Sequence, residues 1–195
     1  MRHPLLAALL SFGLMLPAGA SFAERPETSE TAGKARVSSK GAQRKSLSAA
    51  MAAAAVARAE MKAGIELAMT QLPKRGRVWC VPFARNATGV SLRGNATTWW
   101  HKAKGVYDRG NKPQIGAVMN FRGSRKMPMG HVAVVSNILD ARTIQIDHAN
   151  WVRNKVTLDQ TVIDVSAKND WSEVRVVNAD GSLGRTNPVW GFIYN

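Results

Sequence analysis

Gly130-His131-Val132-Ala133-Val134-Val135-Ser136-Asn137-Ile138, then Leu139-Asp140-Ala141-Arg142, then Thr143-Ile144-Gln145-Ile146-Asp147-His148-Ala149-Asn150-Trp151: this stretch decides the fold. Its two outer runs are rich in β-branched residues and read as strands over 131–138 and 143–151. The four residues between them read as a hairpin connection, so the two strands pair. Period-two alternation puts Ile144, Ile146, His148 and Asn150 on one face and Asp147 on the other. Runs 115–121, 162–165, 173–177 and 189–194 read as further short strands. Upstream the pattern is helical. Residues 82–87 form a short helix with Gly89 as its stop, and Asn95 caps a second helix through Lys104, which Gly105 follows. Helices first and antiparallel strands after predict an α+β fold, with N-terminal helices packed on an antiparallel sheet.

Further out, residues 47–74 are Ala-rich. Leu47, Met51, Ala54, Arg58, Met61, Ile65, Met69 and Leu72 recur every three or four residues, a helical period supported by alanine's propensity. Gly64 weakens its middle and Pro73 ends it. Arg58, Glu60, Lys62 and Glu66 exclude a membrane span. The 47–72 helix either packs on the following domain or docks a protein partner. Residues 24–46 are polar apart from Val37 and read as a disordered linker. Residues 1–23 carry Arg2, an apolar run over 5–16 and small residues before a cut after Ala23, the pattern of a signal peptide. The run is too short to span the hydrocarbon layer. The expectation is an exported, periplasmic or extracellular chain with no integral membrane segment after cleavage, and one domain over 75–195.

The chain has 195 residues, with 27 Lys+Arg against 13 Asp+Glu, a formal net charge of +14. The basic residues are spread along it and no nucleic-acid motif is present, so nucleic acid is excluded as a partner. Attraction to an anionic envelope fits the charge better. The single cysteine, Cys80, builds neither a disulfide framework nor a multi-cysteine zinc site, and no cofactor or metal is expected.

Cys80 stands in Trp79-Cys80-Val81-Pro82-Phe83-Ala84-Arg85. Proline is favoured in a helix's first turn, so Pro82 puts Cys80 at a helix N-terminus. Free N–H groups and the positive end of the helix dipole favour the thiolate there, and the thiolate is the nucleophile. Such a cysteine needs a base, normally a histidine distant in sequence. His131 and His148 lie on neighbouring strands, so one histidine can take the proton while a polar residue beside it orients the ring. Trp79 and Trp151 flank the site, as sugar-stacking surfaces or as core.

These stretches resemble the CHAP domain, the cysteine, histidine-dependent amidohydrolase/peptidase family. The likeness rests on Cys80-Val81-Pro82-Phe83-Ala84-Arg85, Gly94-Asn95-Ala96 with Trp99-Trp100, and Pro113 ahead of Gly116-Ala117-Val118. It continues through Gly130-His131-Val132-Ala133-Val134-Val135 and Asn150-Trp151. The resemblance implies a papain-like fold, a catalytic domain at 75–195 and hydrolysis of amide bonds, typically in peptidoglycan. It implies Cys80 as nucleophile and His131 as base. The family's third polar position is commonly a carboxylate or an amide, and here it holds His148. His148 ranks first as the group that orients His131, Asn150 second, and Asp147 third because it needs a strand irregularity to reach. The Cys80 N–H is an expected oxyanion donor. The competing reading is an inactive CHAP-like scaffold that binds the wall or a protein partner.

Overall fold

In the computed structural model the β-branched runs form β1 (Asp108–Gly110), β2 (Val118–Phe121), β3 (His131–Ile138), β4 (Thr143–Ala149), β5 (Val156–Asp164), β6 (Glu173–Val177) and β7 (Leu183–Tyr194). Ahead of them stand α1 (Ser29–Thr70), α2 (Cys80–Thr88), a 3₁₀ turn over Ala96–Thr98 and α3 (Trp99–Lys102). The structure describes the backbone from residue 29 and side-chain surroundings from residue 40. The expected signal peptide, 1–23, lies outside the described residues. The chain divides into two units, Met1–Arg44 and Lys45–Asn195. In the first, the described residues are helical, so the linker expected over 24–46 is helix from Ser29 onward. Its Ala, Lys, Arg and Gln residues tolerate that conformation well.

In the second unit every strand pairing is antiparallel. The order is β1-β7-β2-β3-β4-β5-β6, and β6 also pairs with β7. The sheet therefore closes into a six-strand barrel, with β1 added to the end of β7. The α+β expectation stands, but the sheet is a closed barrel, which a papain-like arrangement does not specify. Closure comes from β7. Its first half pairs with β6 and its second with β2 and β1, which requires a strand that starts at Leu183 rather than at 189. β5 likewise starts at Val156 rather than at 162, its polar first half being one side of the ladder with β4. The helix expected through Lys104 is only the 3₁₀ turn and α3.

Period-two alternation divides the apolar residues into two cores. Met119, Phe121, Ala133, Val135, Ile144, Ile146 and Phe192 fill the barrel. Val118, Val132, Val134 and Ile193, on the alternate positions, pack outward against Phe83 and Ala84 of α2 and Met61, Ile65 and Ala68 of α1. The C-terminal part of the Ala-rich helix is thus a packing element of the domain, while Leu47, Met51 and Val56 are exposed. Gly64 weakens that helix for a reason: a Cβ there would lie 2.5 Å from the Ala87 carbonyl oxygen of α2. Two ion pairs fasten the same turn, with the Lys62 ammonium 3.0 Å from Asp147 and 2.9 Å from Asp159. Among the described residues no helix is long and apolar enough to cross a membrane.

Candidate active site

Cys80 is the first residue of α2, with Trp79 as its N-cap. Pro82 falls in the first turn, where the missing N–H costs no helical bond. Gly89, in the left-handed region at φ 75°, ends the helix as its sequence signal indicates. The approach to Cys80 is fixed by a loop after β4. Asn150 leaves the strand with φ 64°, so its side chain no longer follows the alternation that ends at Ala149. Its amide oxygen accepts from the Asn154 N–H at 2.8 Å, and the Asn154 amide oxygen accepts from the Val78 N–H at 2.8 Å. Asn150 therefore holds the loop that holds the cysteine segment.

His131 opens β3 on the barrel-facing set of positions. Gly130 sets its entry, with φ 66°, and a Cβ there would lie 2.7 Å from the Thr97 nitrogen and 2.9 Å from the Phe121 oxygen. The His131 Nε2 is 2.9 Å from the His148 Nδ1. Of the three residues ranked to orient His131, His148 makes the contact. Asp147 faces outward, to Lys62 and to the Asp159 N–H. A register shift does occur in β4–β5, between Ile146 and His148, but it does not turn Asp147 inward.

Two aromatic rings enclose the imidazoles. Trp151 stacks on His148 with centroids 5.6 Å apart and meets His131 at 5.1 Å. Phe121 meets His131 edge-on at 5.7 Å. Trp151 therefore packs on the two imidazoles, whereas Trp79 is 44% exposed with the Arg77 guanidinium over its ring. Burial holds His131 well below the ordinary histidine range, and the neighbouring His148 pushes it the same way. Burial also brings His148 to about 4, opposed by its bond to Gln160. The Cys80 thiol is pushed up by burial, more than the N–H groups of Val132, Val81 and Cys80 itself pull it down. Burial of the thiol thus works against the thiolate that the helix N-terminus favours.

Cys80, His131, Asn150 and Trp151 line one cavity of about 730 Å³, with Lys126 and Arg185 on its walls and no carboxylate among its lining residues. It is roomy enough for a peptide-sized substrate. Among the described residues no group of three or more His, Cys, Asp or Glu side chains is arranged to hold a metal ion.

Two features escape a reading by motif. Gln160, on β5, has its Oε1 2.7 Å from the His148 Nε2. Its signal was the alternation of β5 against β4, which cannot be used until the register is known. Asn120, buried on β2, donates to the Ala96 carbonyl at 2.9 Å and ties the Gly94-Asn95-Ala96 wall to the barrel.

No curated protein matches this chain. Residues 72–150 match the family described as CHAP domain, the family that the motifs resemble. The matched stretch includes Cys80, His131 and His148.

Proposed function

We propose that this CHAP-domain chain is an exported cysteine amidohydrolase or peptidase that cleaves amide bonds of bacterial peptidoglycan. The CHAP match supports a peptidoglycan-hydrolase type of amidase or peptidase. One observation carries the assignment to residues: His131, on the same cavity as Cys80, turns its Nε2 to His148 at 2.9 Å. That leaves Nδ1 as the nitrogen that can serve the thiol.

The thiol proton passes to His131 as sulfur attacks the amide carbonyl, since burial of Cys80 disfavours a separate thiolate. The Cys80 N–H, at the first position of α2, serves as an oxyanion donor. His131 then protonates the leaving amine. Water, deprotonated by His131, hydrolyses the thioester and frees the acid. His148 accepts the His131 N–H throughout and keeps the ring in plane. The cationic walls at Lys126 and Arg185 suit an anionic substrate such as a carboxylated peptide stem.

Digestion of purified peptidoglycan, with the new termini identified by mass spectrometry, tests the reading and names the scissile bond. The intact chain releases amine-terminated fragments, and Cys80→Ala releases none while its melting temperature stays unchanged. Undiminished release by that variant refutes the mechanism. No release by the native chain refutes the substrate.

A further inference from the structure

We infer that Gln160 is a positioning residue of this site: it sets the tautomers of His148 and His131 so that the free lone pair of His131 lies on Nδ1, the nitrogen not engaged with His148 and so left for the Cys80 thiol. The inference rests on the reading of Cys80 and His131 as nucleophile and base. It follows from tracing donors and acceptors along one chain of contacts. The Gln160 Nε2 donates to the Val177 carbonyl at 3.0 Å. A carbonyl only accepts, so the amide nitrogen must face β6 and the amide oxygen must face His148. That oxygen, 2.7 Å from the His148 Nε2, also only accepts, so Nε2 carries the hydrogen. A neutral imidazole has a single N–H, which makes the His148 Nδ1 an acceptor. The His131 Nε2 beside it therefore carries its hydrogen, and the His131 lone pair is left on Nδ1.

The two imidazoles alone do not choose this direction. The reversed chain, with a hydrogen on the His148 Nδ1 donated to the His131 Nε2, satisfies the contact between them equally well. It would leave a hydrogen on the His131 Nδ1, and the base could not take the thiol proton. The choice is made at the far end, by the acceptor that Gln160 presents, and the orientation of Gln160 is set by a backbone carbonyl. Sheet register puts it there. Gln160 pairs with Ile146, and the ladder then shifts so that His148 pairs with Thr157, across Asp159 at φ 51°. Gln160 lies beyond the stretch that matches the family. The burial that keeps both rings neutral supports the same picture.

The test is two-bond ¹H–¹⁵N correlation of the histidines in the full chain near neutral pH, run beside the rate of Cys80 alkylation by iodoacetamide and, on peptidoglycan, kcat and KM. In the native chain His131 and His148 both carry hydrogen on Nε2. In Gln160→Leu a population with hydrogen on the His131 Nδ1 appears. Alkylation and kcat then fall together by roughly tenfold to a hundredfold, with KM unchanged. A native spectrum with hydrogen on the His131 Nδ1 overturns the inference, whether or not Gln160→Leu folds. So does a folded Gln160→Leu with unchanged tautomers and alkylation. If tautomers and alkylation respond as stated and peptidoglycan is not cleaved, the positioning role stands and the substrate assignment falls.

Discussion

Acidification should unfold this domain through its two buried histidines, and the size of the effect follows from one of them. His148 is fully buried, and its pKa is brought from 6.5 to about 4, chiefly by burial. Above pH 6.5 the ring is neutral in the native and the unfolded chain, and its full contribution to stability is present. As the pH falls below 6.5 the unfolded chain binds a proton that the native chain does not, so unfolding is favoured. Near pH 4 the native ring protonates as well and the dependence on this residue ends. The gap between 6.5 and 4, at about 1.4 kcal/mol per pH unit, amounts to about 3 kcal/mol. His131 is shifted in the same direction by burial and by His148, so the loss through the pair is larger. The exposed carboxylates Asp140, Asp170 and Asp180 are held below their ordinary 3.8 by bonds to nearby N–H and hydroxyl groups. Asp159 is also held low: Lys62 and Ser136 outweigh its burial. These four titrate on the acid side of the window. Urea unfolding followed by tryptophan fluorescence, at steps from pH 7.5 to 4.5, should show the midpoint falling steadily below pH 6.5. His148→Gln, which removes one titrating ring, should reduce the slope, whatever its absolute stability. A native midpoint that is flat across the window, or an unreduced slope in His148→Gln, refutes the assignment of neutral buried imidazoles.

The same neutrality governs the thiol: alkylation of Cys80 should still be climbing with pH above about 9, since burial lifts its pKa beyond that ordinary value. A plateau at neutral pH would show a resting thiolate–imidazolium pair instead. Gly130→Ala should cost about 3 kcal/mol, because it adds left-handed strain to a Cβ 2.7 Å from the Thr97 nitrogen; thermal melting measures it, and an unchanged Tm contradicts the close approach. Lys62→Met should destabilise by about 3 kcal/mol by leaving the fully buried Asp147 carboxylate without its cation. Adding Asp147→Asn should recover part of that loss in urea unfolding, and no recovery would mean that the pair is not what Lys62 supplies.

The fold was legible where local chemistry decides it. β3, β4 and β6 follow from β-branched runs, and the start of α2 from Pro82 with its stop at Gly89. Closure of the sheet was not legible. It depends on β7 pairing along most of its length with three strands, and half of that strand, Leu183 to Pro188, is Gly, Arg, Thr, Asn and Pro after one Leu. Such residues read as loop until the β6 edge claims their backbone groups. The short second helix fails for a similar reason. Asn95 is a fitting cap, but the chain there is tied by the Thr97 N–H to the Met129 carbonyl and by Asn120 to Ala96, and these tertiary bonds override a local propensity.

The site divides along the same line. Cys80 and His131 are visible as types at recognisable places, and His148 follows from alternation, because it shares a face with Ile144 and Ile146. Asn150 is one step further along the same alternation and yet differs in role, since positive φ takes it off the strand. Gln160 is invisible for a stronger reason. Nothing in its own neighbourhood marks it, and its partner is twelve residues away across a bulged ladder. Its meaning arises only when β5 sets an amide between an imidazole and a β6 carbonyl. A carboxylate in the position of His148 would need no such device, because it accepts from His131 whichever way it is turned. An imidazole accepts on one nitrogen only, so a histidine there has to be told which. The departure at His148 therefore carries its own requirement for an oriented acceptor behind it, and Gln160 meets that requirement.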